Sequence, residues 1–183
     1  MGTPRITEPV RTAIEQLLLS TAAERAIDGI DLSELKEKKV FLDTSGFEGT
    51  DKSYVIGLIQ TLLGEHGALI FEDKSEAEII VSITSGALAI DRTDKLLGMP
   101  TLAIPIPFAG AANIPEIALY KTIKQKGIAK FAINTYEKRT GKHLFAVGPT
   151  SGNSYYNYHK VLLFFTFRTT DIPEKKKGRW SQP

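Results

Sequence analysis

From Leu96 to Pro115 the chain reads LLGMPTLAIPIPFAGAANIP, an uncharged stretch between Lys95 and Glu116. It is long and apolar enough to bring a membrane-spanning helix to mind. Pro100, Pro105, Pro107 and Pro115 argue against one, because each lacks an N–H donor and two of them fall within three residues. What fits is an extended apolar arm or hairpin that something must cover: its own domain, a second copy of the chain, or a membrane surface. Leu102, Ile104, Ile106 and Phe108 are the large side chains this arm would present to a partner.

The rest of the chain is ordinary by comparison. Its 183 residues are enough for one domain with a substantial core. The expected organisation is residues 1–6 as an unstructured or added terminus, 7–172 as a single α/β domain and 173–183 as a basic tail. Net charge is +2, and nothing in it asks for nucleic acid. The one dense basic run, Lys175-Lys176-Lys177-Gly178-Arg179, reads first as a solvated tail, with an anionic surface as the alternative. No cysteine is present, so disulfides, thiolate metal sites and thiol nucleophiles are excluded within these residues. MGTPRITEPV does not have the basic and apolar regions of a signal peptide, and Ile6 stands where a myristoylation signal wants Ser or Thr.

Thr7-Glu8-Pro9 opens a helix whose apolar positions, Val10, Ala13, Ile14, Leu17, Leu18, Ala22 and Ala26, recur every three or four residues. Asp28-Gly29 closes it, and Leu32 and Leu35 add one more turn. Val40–Asp43 is a short buried strand, and Thr44–Thr50 a loop. Asp51 caps a second helix with Tyr54, Val55, Leu58, Ile59, Leu62 and Leu63 inward. Strands follow at Ala68–Phe71 and from Ile79 to about Ile90, with Gly86 as a bulge or bend. Glu116–Lys124 fits helix or strand equally. Ile128–Tyr136 alternates with Ala129, Phe131, Ile133 and Thr135 on one face, and Lys138–Lys142 is a tight turn into a strand over Leu144–Val147. Gly148-Pro149 ends that strand, Thr150–His159 is a loop, and the apolar run Val161–Phe167 is a central strand or one buried on both faces. The fold class is α+β: two amphipathic helices packed on a mostly antiparallel sheet, with the proline-rich arm inserted between strands.

Few residues point to chemistry. Ser45-Gly46-Phe47-Glu48-Gly49-Thr50-Asp51-Lys52-Ser53 sits between a strand and a helix, where a phosphate-binding loop would, but Asp51 replaces the glycine before the lysine. A turn plus a helix cap explains it better. His66, His143 and His159 are not at metal-ligand spacing, and His66 suits a helix C-terminus. Asp43, at a strand end, is the best single carboxylate candidate, with loop capping the commoner role for such an aspartate. No catalytic residue, cofactor or metal is implied. Tyr155, Tyr156 and Tyr158, beside Asn153, Asn157 and His159, form either a recognition patch or a set of buried strand-end aromatics.

Several segments resemble an uncharacterised bacterial lipoprotein-like family: TEPVRTAIEQLLLSTAAERAI (Thr7 to Ile27), LLGMPTLAIPIPFAG with PEIALYK, AKFAINTYEKRTGKHLFAVGP, and SGNSYYNYHKVLLFF with TTDIP. That resemblance implies a leader with a lipid-bearing cysteine shortly before the first helix, with Met1-Gly2 an addition in its place, and a location in the periplasm at the outer membrane. At fold level KKVFLD, EAEIIVSI and YEKRTGK resemble the small α/β domain of the curli-secretion lipoprotein and the TolB amino-terminal domain. Curli-type proteins assemble into rings and put hairpins into the outer membrane between such strands. The reading is a non-enzymatic envelope assembly or interaction module, able to oligomerise, with a protein partner (itself or an envelope component) and peripheral membrane contact. The alternative is a soluble cytoplasmic enzyme or small-ligand domain with its site in the loop after Asp43.

Overall fold

The computed structural model describes residues 11–49, 51–106, 110–114 and 116–172; for 103–106 and 110–114 it describes backbone alone. The expected helix opening at Thr7–Val10, Phe108 of the arm, and the basic tail lie outside these residues. Helix α1 (Ala13–Ile27) starts from a capping box in which the Thr12 hydroxyl accepts from Glu15 N–H and the Glu15 carboxylate accepts from Thr12 N–H. Among the described residues, then, Thr12 is the cap of the helix that begins at Ala13. Asp28 ends α1, and Gly29 takes the left-handed conformation that closes it (φ 75°).

Strand β1 (Lys39–Gly46) runs three residues past Asp43, so the expected loop starts later. Its backbone pairs in parallel with β2 (Leu69–Phe71) and β3 (Ile79–Met99), with the register shifting between Asp43 and Gly46. Helix α2 (Lys52–Glu65) connects β1 to β2 and buries Val55, Ile59 and Leu63. Asp51 does not cap it by side chain; its carboxylate takes Arg11 Nη1 at 2.9 Å instead. His66 Nδ1 lies 2.9 Å from Leu62 O at the helix end.

The charged stretch Asp91–Lys95 belongs to β3, which carries on to Met99 because nothing in the ladder demands alternation where neither face is covered. The arm is a hairpin, β4 (Leu102–Ile106) with β5 (Gly110–Ile114), in which Ile104 pairs with Ala112 and Ile106 with Gly110. The ambiguous segment after it is strand: β6 spans Ile117–Glu137. Gly86 lies against the Lys130 side chain and Gly98 against the backbone of Ile117–Leu119, so β3 and β6 are antiparallel. A turn at Lys138–Lys142, with Gly141 at φ 72°, leads into β7 (His143–Val161) and then β8 (Phe165–Thr170). The strand order is β2-β1-β3-β6-β7-β8, and the class is α+β with a mostly antiparallel sheet.

Two expectations fail in β7 and β8. Thr150–His159 is not a loop; the strand passes through Gly148-Pro149 and continues. Gly152 is needed there, because a Cβ would run into Ala22 O and lie 2.6 Å from Ala26 N of α1, and Ser154 is buried with its hydroxyl on Leu18 O at 2.6 Å. Val161–Phe167 is not a buried central strand. It is the β7–β8 hairpin, with Leu162 and Leu163 both at positive φ (48° and 65°) in its turn.

The chain forms two compact units. One takes the described residues up to Asp91 together with Lys126–Ser154; the other takes Arg92–Gln125 together with the described residues from Tyr155 on. The first unit has the core: Ala22, Leu32, Leu35, Val40, Phe47, Val55, Ile59, Leu63, Val81, Ile83, Phe131 and Ile133 are buried, with Phe47 and Phe131 rings 5.5 Å apart. The buried face Ala129, Phe131, Ile133, Thr135 is the one that the alternation marks.

Candidate interaction surface

The second unit is a sheet without a core of its own among the described residues. Those it buries are Ala118, Thr122 and Gln125, two of them polar. Thr122 Oγ1 is satisfied by His159 Nδ1 at 3.1 Å, and the His159 ring stacks on Phe167 at 4.7 Å. Its large apolar side chains stay outside: Leu97 is 65% exposed, Leu119 52%, Leu162 58% and Phe164 82%. Leu96, Met99, Leu102, Phe165 and Phe167 are exposed as well.

The arm and the tyrosine segment, read from sequence as separate surfaces, fall in this one unit. Leu102 is exposed on β4, and Ile104 and Ile106 follow it along that strand. Tyr155 is exposed on β7, with its N–H on the Asp171 carboxylate at 2.6 Å; Tyr156 and Tyr158 are half-buried, opposite Thr170 and Arg168 of β8. Sequence reasoning placed Leu97 within the contact arm but missed Leu119, Leu162 and Phe164 as exposed residues. The signal was there in Leu162–Phe164, which have no turn former among them, but an apolar run is ordinarily buried.

The register across the unit orders these side chains. Gly98 sits opposite Ala118, between Ile117 and Leu119, which puts Leu97 opposite Leu119 and Lys95 opposite Lys121. Leu162 N–H donates to Leu119 O at 2.8 Å, and Thr122 meets His159, which puts Leu119 opposite Leu162 and Lys121 opposite Lys160. One face of the unit therefore carries Leu97 and Leu119 near its end, with Lys95, Lys121 and Lys160 two residues behind, and β7 runs on from Lys160 into the turn that holds Leu162. Lys121 Nζ is also paired with the Glu116 carboxylate at 2.8 Å.

Asp43 has a local task. Its Oδ1 accepts from Ser45 N–H at 3.0 Å, and that backbone hydrogen bond, more than any other cause, holds its pKa below the ordinary aspartate value. The same Asp-x-Ser turn is built at Asp31–Ser33 (2.9 Å) and Asp73–Ser75 (2.7 Å), again with lowered carboxyl pKa values. In the first unit a cleft of about 790 Å³ is lined by Glu34, Lys38, Glu78, Glu137, Arg139, Lys142 and His143, among others. Among the described residues no cluster of three or more His, Cys, Asp or Glu is placed to hold a metal ion, and no helix is long and apolar enough to cross a membrane.

Fold and surface together define a class: a small α+β protein in which, among the described residues, one unit carries the core and the other a sheet with large apolar side chains exposed. The chain belongs to a family of unknown function (DUF6655), whose model matches residues 4–173. No curated protein matches it.

Proposed function

We propose that this protein is a non-enzymatic assembly or interaction module of the bacterial envelope, working at the periplasmic side of the outer membrane. The observation that carries the reading is the second unit, which buries Ala118, Thr122 and Gln125 while Leu97, Leu119, Leu162 and Phe164 stand in solvent. A sheet of that kind needs a partner, since an apolar surface this extended is seldom left open. Its edges favour self-association. β8 ends the strand order, and β1 pairs with β3 only as far as Thr84, so Arg92–Met99 has no strand outside it among the described residues. Open edges are templates for pairing with another chain. Two different edges joining head to tail form rings when the rotation closes. The envelope location rests on the resemblance to lipoprotein-like and curli-secretion proteins, which is an analogy of sequence and fold.

The test is the absolute mass in solution, by light scattering behind a sizing column, with and without mild detergent. A single discrete mass at a multiple of the 20.1 kDa chain is expected. A monomer that stays soluble at high concentration in both conditions would sink the assembly reading.

A further inference from the structure

We infer that the leucine-bearing end of the second unit seats on an anionic lipid bilayer, with the lysine row behind it on the head groups. The inference deepens the module reading and rests on it: it names one of that module's partners and the residues that meet it.

Three observations carry it. The first is the tip. Leu162, Leu163 and Phe164 make the β7–β8 turn, two of them with left-handed backbone that leucine adopts only at a cost, and Phe164 is the most exposed large apolar residue described. A turn meant for water takes Asn or Gly in those positions. The second is depth. Lys160 and Arg168 bracket an uncharged run of Val161–Phe167, and each stands four residues from Phe164. Val161 pairs with Phe165, so the apolar tip is one strand residue and a three-residue turn beyond Lys160, shallow enough to stay within one leaflet of a hydrocarbon core of about 30 Å.

The third is the charge row. Lys95, Lys121 and Lys160 stand directly across from one another on neighbouring strands, and Arg168 lies on the same face, opposite Tyr158. Like charges in such pairs weaken a sheet. Glu116 pairs with Lys121, and Asp94, held by Arg92, also feels the Lys121 charge. An anionic surface would answer all of them at once, and long lysine stems let the ammonium groups reach head groups while the leucines two residues on enter the acyl region. Tyr158 and Tyr156 come next along β7, where an interfacial aromatic belongs. A second copy of the chain could cover the leucines, but its matching face offers the same lysine row rather than a complementary anionic one. That favours lipid.

The test is co-sedimentation of the full chain with vesicles of phosphatidylglycerol and phosphatidylcholine, against phosphatidylcholine alone, at low and high salt. Binding is expected to the anionic vesicles, falling steeply with salt. Lys95→Gln/Lys121→Gln/Lys160→Gln should reduce it on the order of 100-fold, at about 1 kcal/mol per lysine near the surface. Leu162→Asn/Phe164→Ser, which suits the turn's backbone and so should fold, should reduce it with the lysines intact. Equal binding to both vesicle types, no binding, or binding unmoved in either folded variant overturns the inference. The mass measurement separates the two failures. A discrete assembly that ignores vesicles leaves the module standing without its lipid partner. A monomer that ignores vesicles removes both.

Discussion

At the scale of single residues, Tyr54 shows how a side chain that looked like core becomes a surface tie. It shares the apolar period of α2, yet it is 43% exposed, and its hydroxyl donates to Glu24 Oε1 of α1 at 2.6 Å. That hydrogen bond, then burial and the negative charge of Glu24, push its pKa up to about 12. The folded state thus holds the phenol proton more tightly than the unfolded chain, whose tyrosines titrate near 10. The tie helps stability in full below about pH 10, and its contribution is lost as pH rises toward 12. Absorbance titration of the phenolates should show one of the six tyrosines ionising late, and Tyr54→Phe should abolish that late phase. A late phase that survives the substitution would assign it to another tyrosine. Because the pair is solvent-screened, the change in stability at neutral pH should be small.

At the scale of elements, α1 is held against β6 and β7 by the absence of side chains. A Cβ at Gly127 would lie 2.5 Å from Leu18 O, and one at Gly152 would meet Ala22 O, so helix and strand backbones touch across two glycines. Ser154 fills the gap between them with its hydrogen bond to Leu18 O, and Arg25 Nη1 donates to Asn153 O at 2.6 Å. Gly152→Ala would therefore force the helix off the sheet. Overpacking of this sort typically costs about 1–3 kcal/mol, and backbone cannot step aside as a side chain can, so a loss near or above 3 kcal/mol is expected in denaturant unfolding. Gly64→Ala, in open space on α2, is the control and should not destabilise. The two helices were legible in sequence because each buries a periodic stripe, and so was the Ala129–Thr135 face. The lengths of β3, β6 and β7 were not, because Asp91–Lys95 looks like a break where the strand is exposed on both faces, and Gly148-Pro149 looks like one because the face buried beyond it is made of Gly152 and Ser154, which give no apolar alternation. The β7–β8 hairpin was misread for the opposite reason, since reading Val161–Phe167 as strand core assumes that apolar means inside.

At the scale of the whole molecule, the two units differ in what holds them. The first is stabilised by burial: Leu18, Val40, Ile59, Val81 and Ile83 are all 0% exposed. At about 25 cal/mol per Å² of apolar surface, a core of that size accounts for a cooperative fold. The second is held chiefly by strand pairing, which contributes little net stability when the same groups can bond to water. Its local opening should therefore be easy. In dilute, lipid-free solution, amides of Asn157–Val161 and Phe165–Thr170 should exchange on the order of 100-fold faster than those of Val40–Leu42 and Val81–Ile83, as expected where few apolar contacts resist opening. Raising the protein concentration, or adding anionic vesicles, should slow exchange in the second unit and leave the first unchanged, because whatever binds the closed sheet stabilises it by mass action. Protection that is already uniform in the dilute monomer would mean that the sheet needs no cover. The exposed leucines would then be tolerated surface rather than a place kept open for a partner.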